Sequence, residues 1–293
     1  MEYLGIIFAL VALVSWGLGD FFIQRTSRKT GIVDAMFFID VVAAVVLLPF
    51  IWDELPLLEA RTVYILLTAG VVLIGASFFL FTALKKGKLS VVEPTASLEL
   101  PFTVIIAALL GHERLDLFTY LIIALVFIGI FLTVTEGRHV LRNLWHGHIK
   151  KFERGVWLAF FGSIAMALGN FTVGFASQET SPLMTIWATS LIILIPCVIY
   201  YIFTNRFGLM VGHIKKYPLT VLAEVTFDNM AWIAFAFAVV YIPISVAITI
   251  SESYIILAVL LGVLINKEKL RQHQYLGVAM AIGGVLLLAR MQG

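Results

Sequence analysis

The chain has 293 residues, of which 61% are apolar, 13% aromatic and only 13% charged, with a formal net charge of +2. A soluble domain of that length carries nearer one quarter charged residues, so much of this exterior faces something other than water. No basic stripe and no interleaving of aromatic with basic residues on a polar face gives a footprint for nucleic acid.

The opening segment, MEYLGIIFALVALVSWGLGDFF, has no basic leader and no small-residue cleavage site, so it reads as a retained membrane span and not a secretory signal. Apolar runs of about 20 residues, the length that crosses about 30 Å of hydrocarbon as helix, then recur along the chain. They fall at 3–24, 33–52, 62–84, 89–110, 115–135, 156–177, 183–204, 218–238, 243–265 and 272–290. The breaks between them hold the charges, and the stretch from Asn205 to Pro218 reads as one such loop. A β-barrel is excluded, because its strands would alternate apolar and polar with period two and these runs are apolar on every side. The single cysteine, Cys197, lies in one such run as a small buried hydrophobe and forms no intrachain disulfide.

The chain repeats itself. Residues from Gly5 align without a gap to those from Gly155, pairing Gly19 with Gly169, Asp20 with Asn170 and Phe21 with Phe171. Residues from Ser90 align to those from Ser245, pairing Glu113 with Glu268, Tyr120 with Tyr275 and Gly129 with Gly284. The expected fold is therefore all-α and integral to a membrane, with ten spans in two five-helix repeats around a central cavity. The first repeat covers 1–136, a basic linker 137–154, and the second repeat 155–293.

Five spans per repeat force the halves into opposite orientations. The basic residues agree, because Lys and Arg in short loops mark the cytoplasmic side. They follow the first span (Arg25, Arg28, Lys29), the third (Lys85, Lys86, Lys88), the seventh (Arg206, Lys215, Lys216) and the ninth (Lys267, Lys269, Arg271), and they fill the linker. Only Arg61, Arg114 and Arg290 fall opposite. The pattern places the odd-numbered loops in the cytoplasm and both termini outside, in a plasma (inner) membrane. Inverted repeats of this kind are a transporter signature, with the site at the repeat interface near midplane.

The segment ALKKGKLSVVEPTASLELPFTVIIAALLGHERLDLFTYLIIALVFIGIFL and its echo from Ala236 to Leu288 resemble the EamA-type domain of the drug/metabolite transporter superfamily. The resemblance rests on the glutamates closing the fourth and ninth spans (Glu113, Glu268) and the glycines of the fifth and tenth (Gly129, Gly284). It departs at the proline expected before the glutamate, which stands at Pro101 and is Ile256 in the second half. It departs also in orientation, since the best-known members are described with both termini cytoplasmic. The resemblance implies export of amino acids or other small metabolites, or drug efflux, with helices five and ten peripheral to the cavity.

The acids inside the spans carry the chemistry. Asp20, Asp40, Glu93, Glu99, Glu224, Asp228 and Glu252 lie within predicted helices, and no Lys or Arg lies well inside any of them. A charged side chain at the bilayer centre costs about 2.5–3.5 kcal/mol on insertion scales, so such groups face inward and are generally functional. Without basic partners they need a water-filled cavity, a proton or a cationic ligand. Glu99, Asp228 and Glu252 are the deepest. Asp20, Glu93 and Glu224 are nearer helix ends, where solvation or capping explains them equally well.

Glu224, Asp228 and Trp232 are four apart and share one helix face, as do Trp16, Asp20 and Gln24. An indole beside a carboxylate suits an organic amine. Asn170, the repeat-mate of Asp20, completes a ring. The candidate substrate-binding or proton-coupling residues are thus Glu99, Asp228, Glu252, Asp20, Asn170, Trp16, Trp232 and Glu224. No catalytic residue, metal site or cofactor is expected: His139, His146 and His148 lie in the linker without an acid or cysteine to complete a ligand set, and no Walker-type loop occurs. Glu113 and Glu268 are expected to support helix ends. Gly277, Ala281 and Gly284 form a small-residue face that serves either internal packing or a homodimer.

The resulting expectation is a secondary transporter, an exporter of a small organic solute such as an amino acid or amine-bearing metabolite, working by alternating access with protons as coupling partner. The alternatives are a flippase for a lipid-linked substrate and an intramembrane enzyme. The enzyme lacks an HExxH motif or an Arg cluster within the spans.

Overall fold

The computed structural model describes residues 2–87, 92, 95–134, 154–254, 256–257 and 271–291. Glu93, Pro94, Glu268 and the linker up to residue 153 lie outside them. The helices are α1 (Glu2–Lys29), α2 (Ile32–Ile51), α3 (Ala60–Lys86), α4 (Glu99–Leu109), α5 (Leu117–Val134), α6 (Arg154–Glu179), α7 (Pro182–Thr204), α8 (Phe207–Lys216), α9 (Pro218–Tyr241), α10 (Ile244–Ser251) and α11 (Gln272–Met291), with a 3-10 turn at Leu55–Leu57. Among the described residues, seven helices are long and apolar enough to cross a membrane, and α4 and α5 are shorter apolar helices. Large apolar side chains such as Val45, Phe50, Tyr64, Val71, Phe203 and Leu219 are exposed on these helices. Such a surface is sustainable against lipid and not against water.

Two helix pairs dominate the packing, α1 with α9 and α3 with α6. In the first, Phe8 stacks on Phe237, Trp16 meets Trp232 and Phe22 stacks on Phe227, while Lys29 sits over Tyr217. One helix counts up as the other counts down, so the pair is antiparallel. In the second, Arg61 pairs with Glu179, and Gly169 lies against Leu73, Gly162 against Phe79 and Leu80, and Gly155 against Gly87. That pair is antiparallel too.

The two pairs correspond contact for contact. A Cβ placed on Gly5 would lie 2.9 Å from Ile242, and one on Gly155 would lie 2.8 Å from the Gly87 backbone. The same exchange that takes Gly5 to Gly155 and Gly87 to Ile242 takes α2·α7 and α5·α11 onto themselves. In α5·α11 a Cβ on Gly129 would reach the Ala281 backbone nitrogen at 2.7 Å, and one on Gly277 the Gly129 carbonyl at 2.6 Å. Only glycine allows this approach. The small-residue face of α11 is therefore consumed inside the chain, by α5, which removes the reason for assigning it to a homodimer.

The ends of the bundle differ in charge. Arg28 donates to the Gly87 carbonyl (2.6 Å) and Lys29 to Thr220 (3.4 Å), gathering the ends of α1, α3 and α9. His213 of α8 meets Asp34 of α2 at 2.5 Å, and Tyr201 of α7 donates to the same carboxylate at 2.8 Å. Arg25, Arg206, Lys215 and Lys216 belong to this end. At the other end Ser181 donates to Glu54 (2.6 Å) and Arg61 pairs with Glu179. Hence α1, α3 and α7 run toward the basic end, and α2, α6 and α9 run away from it.

Two expectations are corrected. The stretch from Asn205 to Pro218 is not loop: after Asn205, which turns the chain through the left-handed region (φ 52°), residues 207–216 form the helix α8. Nor are the fourth and ninth spans continuous helices. Helix stops at Ser251, with Glu252 and Ser253 in a turn, and Ser97 and Leu98 form the matching turn before α4. Pro101 explains the first break, because it has no N–H to give the Ser97 carbonyl, and it is tolerated in the first turn of α4. In the second, Thr249 donates to the Ser245 carbonyl and Ser253 to that of Thr249. Such hydroxyl bonds onto the preceding turn bend helices.

Candidate functional site

The two helix breaks face one cavity. Its lining comes from α1 (Trp16, Asp20, Ile23), α2 (Met36, Ile39, Asp40), α3 (Leu73, Ser77, Leu80, Phe81), the first break (Ala96, Glu99), α6 (Met166, Asn170), α7 (Ile186, Thr189, Ser190, Ile193), α9 (Asp228, Asn229, Trp232) and the second break (Glu252, Tyr254). About 880 Å3 of atom-free space lies within and at the mouth of this lining.

Seven of the eight predicted site residues meet here: Trp16, Asp20, Glu99, Asn170, Asp228, Trp232 and Glu252. The eighth, Glu224, does not. It is one helical turn from Asp228 on α9 and fully buried outside the cavity. The register explains this: four residues per turn overshoots the 3.6-residue period, so a face defined by Trp232 and Asp228 drifts away from the cavity by Glu224. Gln24, grouped with Asp20 by the same spacing, bonds instead to the Leu84 carbonyl at 3.2 Å. Trp187 donates to the Ala44 carbonyl at 3.0 Å and ties α7 to α2.

The carboxyls form a connected set. Asp40 and Asp228 are electrostatic neighbours, as are Asp228 and Asp20, and Asp20 and Glu99. The Glu99 and Glu252 side chains interact as a hydrogen-bonded pair. Two carboxyls bond to one another only by sharing a proton. Tyr254 donates to Asp20 at 2.7 Å, and the Ser190 hydroxyl faces Asp40. Asn170 faces Glu99, its buried Nδ2 having no closer acceptor among the described residues. Asn229 is held by its amide to the carbonyls of Ile39 (3.1 Å) and Val225 (2.9 Å). On the apolar side, Trp16 and Trp232 stand edge to face with centroids 5.4 Å apart, and Phe235 packs against both.

Sequence reasoning passed over Asp40 and Tyr254 as site residues. Asp40 was counted among the intramembrane acids but not ranked with the site, being about 10 Å into its span at about 1.5 Å per residue. Tyr254 had a usable signal. The register that pairs Ser90 with Ser245 pairs Glu99 with Tyr254, just as Asp20 pairs with Asn170. The contact of Asp20 with Tyr254 is thus the counterpart of Asn170 facing Glu99.

Apolar helices exposed to lipid around a cavity lined by carboxyls and indoles define a multi-pass membrane protein with an internal polar site. The model of the EamA-like transporter family matches residues 3–135 and again 153–290. The chain belongs to that family, whose members are membrane transporters of small solutes, within the drug/metabolite transporter superfamily. No curated protein matches the chain. A solved crystal structure of a protein resembles it in fold over 98% of each chain, with a TM-score of 0.65 at 16% identity.

Proposed function

We propose that this protein is a secondary transporter, acting as an exporter, that moves a small organic solute bearing an amine by alternating access and exchanges it for protons. Ten spans in two inverted five-helix repeats, 1–136 and 155–293 with a cytoplasmic linker at 137–154, form the frame. The protein lies in the plasma membrane with its basic end in the cytoplasm. What supports the orientation is the sorting of Arg25, Arg28, Lys29, Arg206, Lys215 and Lys216 to one end of the bundle.

The observation that carries the reading is the convergence of Asp20, Asp40, Glu99, Asp228 and Glu252 on one cavity whose described lining contains no Lys or Arg. Such a site attracts cations and repels anions. One proton held among Glu99, Asp228 and Glu252 would leave for each positive charge the substrate brings, keeping the cavity's charge constant. Trp16 and Trp232 would take the ammonium or its alkyl chain against their faces.

Purified protein is first screened by thermal shift against amino acids, polyamines and quaternary ammonium compounds. The stabilising compound is then followed into proteoliposomes under an imposed pH gradient. Glu99→Gln, Asp228→Asn and Glu252→Gln are each expected to lose gradient-driven uptake. Full activity in all three removes the mechanism.

A further inference from the structure

Glu224 is fully buried, and among the described residues no group but the Thr26 hydroxyl stands ready to bond its carboxyl oxygens, neither of which is closely hydrogen-bonded. Its nearest polar neighbours are the Thr26 hydroxyl across the α1·α9 contact and Asp228 on its own helix. Thr26 is itself buried, and among the described residues its hydroxyl has no partner other than the Glu224 carboxyl; the buried Ser27 hydroxyl beside it has none among them.

The Thr26 hydroxyl, like that of Thr82, does not bond back along its own helix. Thr103, Thr133 and Thr189 on α4, α5 and α7 donate to carbonyls one turn back in their own helices, the default for a threonine in an apolar helix. Thr26 does not, and remains available to the carboxyl opposite. A carboxyl sealed from water, with one hydroxyl and no cation beside it among the described residues, is costly to hold as a carboxylate, so loading and unloading its proton requires a neighbouring group that can hand the proton on.

The position supplies two outlets. Asp228, in the cavity, is four residues along α9 from Glu224, about 6 Å at about 1.5 Å per residue. In the other direction Glu224 is six residues from the start of α9 at Pro218, about 9 Å, and Thr26 is three from the end of α1. The charged groups flanking the site are Asp228, Asp20 next to Asp228 from α1, Asp40 next to Asp228 from α2, and Lys29, which contacts Thr220 at the basic end.

We infer that Glu224 is a proton-relay site outside the substrate cavity, exchanging its proton with Asp228 on one side and, through the Thr26 hydroxyl, with water at the basic end on the other. The proton moves as H+ from one carboxyl to the next; each donor is left as carboxylate until it is refilled. The inference rests on the proposed coupling to protons for its purpose but not for its test.

The test needs no substrate. The full-length protein in nanodiscs of phosphatidylcholine and phosphatidylglycerol is given a pH step, and the carboxylic C=O stretch is followed by time-resolved infrared difference spectroscopy. A band lost in Glu224→Gln should titrate in the wild type, and its response should be at least tenfold slower in Asp228→Asn or in Thr26→Val. A Glu224 band that does not respond to pH overturns the inference. A responding band whose rate neither variant changes overturns it as well, since Glu224 would then exchange by another path. A transport assay that fails while the infrared response is as expected refutes the proposed function and leaves the relay standing.

Discussion

The Glu113 carboxylate, beyond the end of α4, accepts hydrogen bonds from the backbone N–H of Ser245 (3.2 Å) and from its hydroxyl (2.6 Å), while its other oxygen takes the N–H of Ile244 (2.6 Å). One side chain from the first half thus caps α10 in the second. Two otherwise orphaned donors of the helix N-terminus are satisfied, and a negative charge is placed at its positive end. The turn that delivers Glu113 runs through His112, which adopts φ 51°.

Removing this cap should be costly. Glu113→Ala is expected to destabilise the protein by about 2 kcal/mol, the upper range for a helix cap, and to lower the apparent melting temperature followed by tryptophan fluorescence. Glu113→Gln, which keeps an acceptor, should lose less. Equal melting of all three proteins would show that the contact contributes nothing.

The α5·α11 crossing makes a sharper stability prediction. Gly277→Ala would place a methyl group 2.6 Å from the Gly129 carbonyl and force the helices apart, at an expected cost of about 1–3 kcal/mol. Gly283→Ala, on the same helix with nothing within 4 Å among the described residues, is the control and should be neutral or slightly stabilising. Size-exclusion profiles of the purified variants report whether folding survives. The two alanines behaving alike would refute the packing argument.

Asp20 and Tyr254 should act as a unit. Tyr254→Phe removes the phenol that donates to Asp20 and is expected to weaken substrate-dependent thermal stabilisation by about tenfold in apparent affinity. That corresponds to a hydrogen bond to an acidic group worth about 1.5 kcal/mol. In a double-mutant cycle, Tyr254→Phe should have little further effect once Asp20→Ala, which removes the acceptor, is present. Additive losses would mean that the two residues contribute separately.

At the basic end, α8 is joined to the bundle through His213 and Asp34, with Met210 as its buried apolar contact. Asp34→Ala leaves the buried Tyr201 hydroxyl without its partner and releases His213. Hydrogen exchange over residues 207–216 should accelerate at least tenfold in that variant while exchange in α5 stays unchanged. Unaltered protection of α8 would assign its order to apolar contacts alone.

Most of this architecture was legible because lipid imposes few and strict demands. A helix must be long and apolar enough to cross, and an acid within it must face inward; those two conditions located the helices and brought seven of eight chosen residues to one cavity. Of the two helix breaks, the first is marked in the sequence by Pro101 and the second is not. The turn at Glu252 and Ser253 contains neither proline nor glycine, and is read only from the hydroxyls of Thr249 and Ser253 bonding back along the helix. The helix α8 was missed because it is ten residues long and contains two glycines, Gly208 and Gly212. Glu224 was misplaced because a spacing of four approximates a helix face for one turn and departs from it over two.

In both dominant pairs, one helix comes from each half: α1 with α9, joined by α10, and α3 with α6, joined by α4. The masses that flank the cavity are therefore chimaeras, and neither corresponds to a contiguous stretch of chain. In the alternating access proposed above, each chimaera is the unit expected to swing as one mouth widens and the other narrows, with the glycine crossing of α5 with α11 as the pivot. A staple inside a block would leave turnover intact, and a staple across the cleft would arrest it.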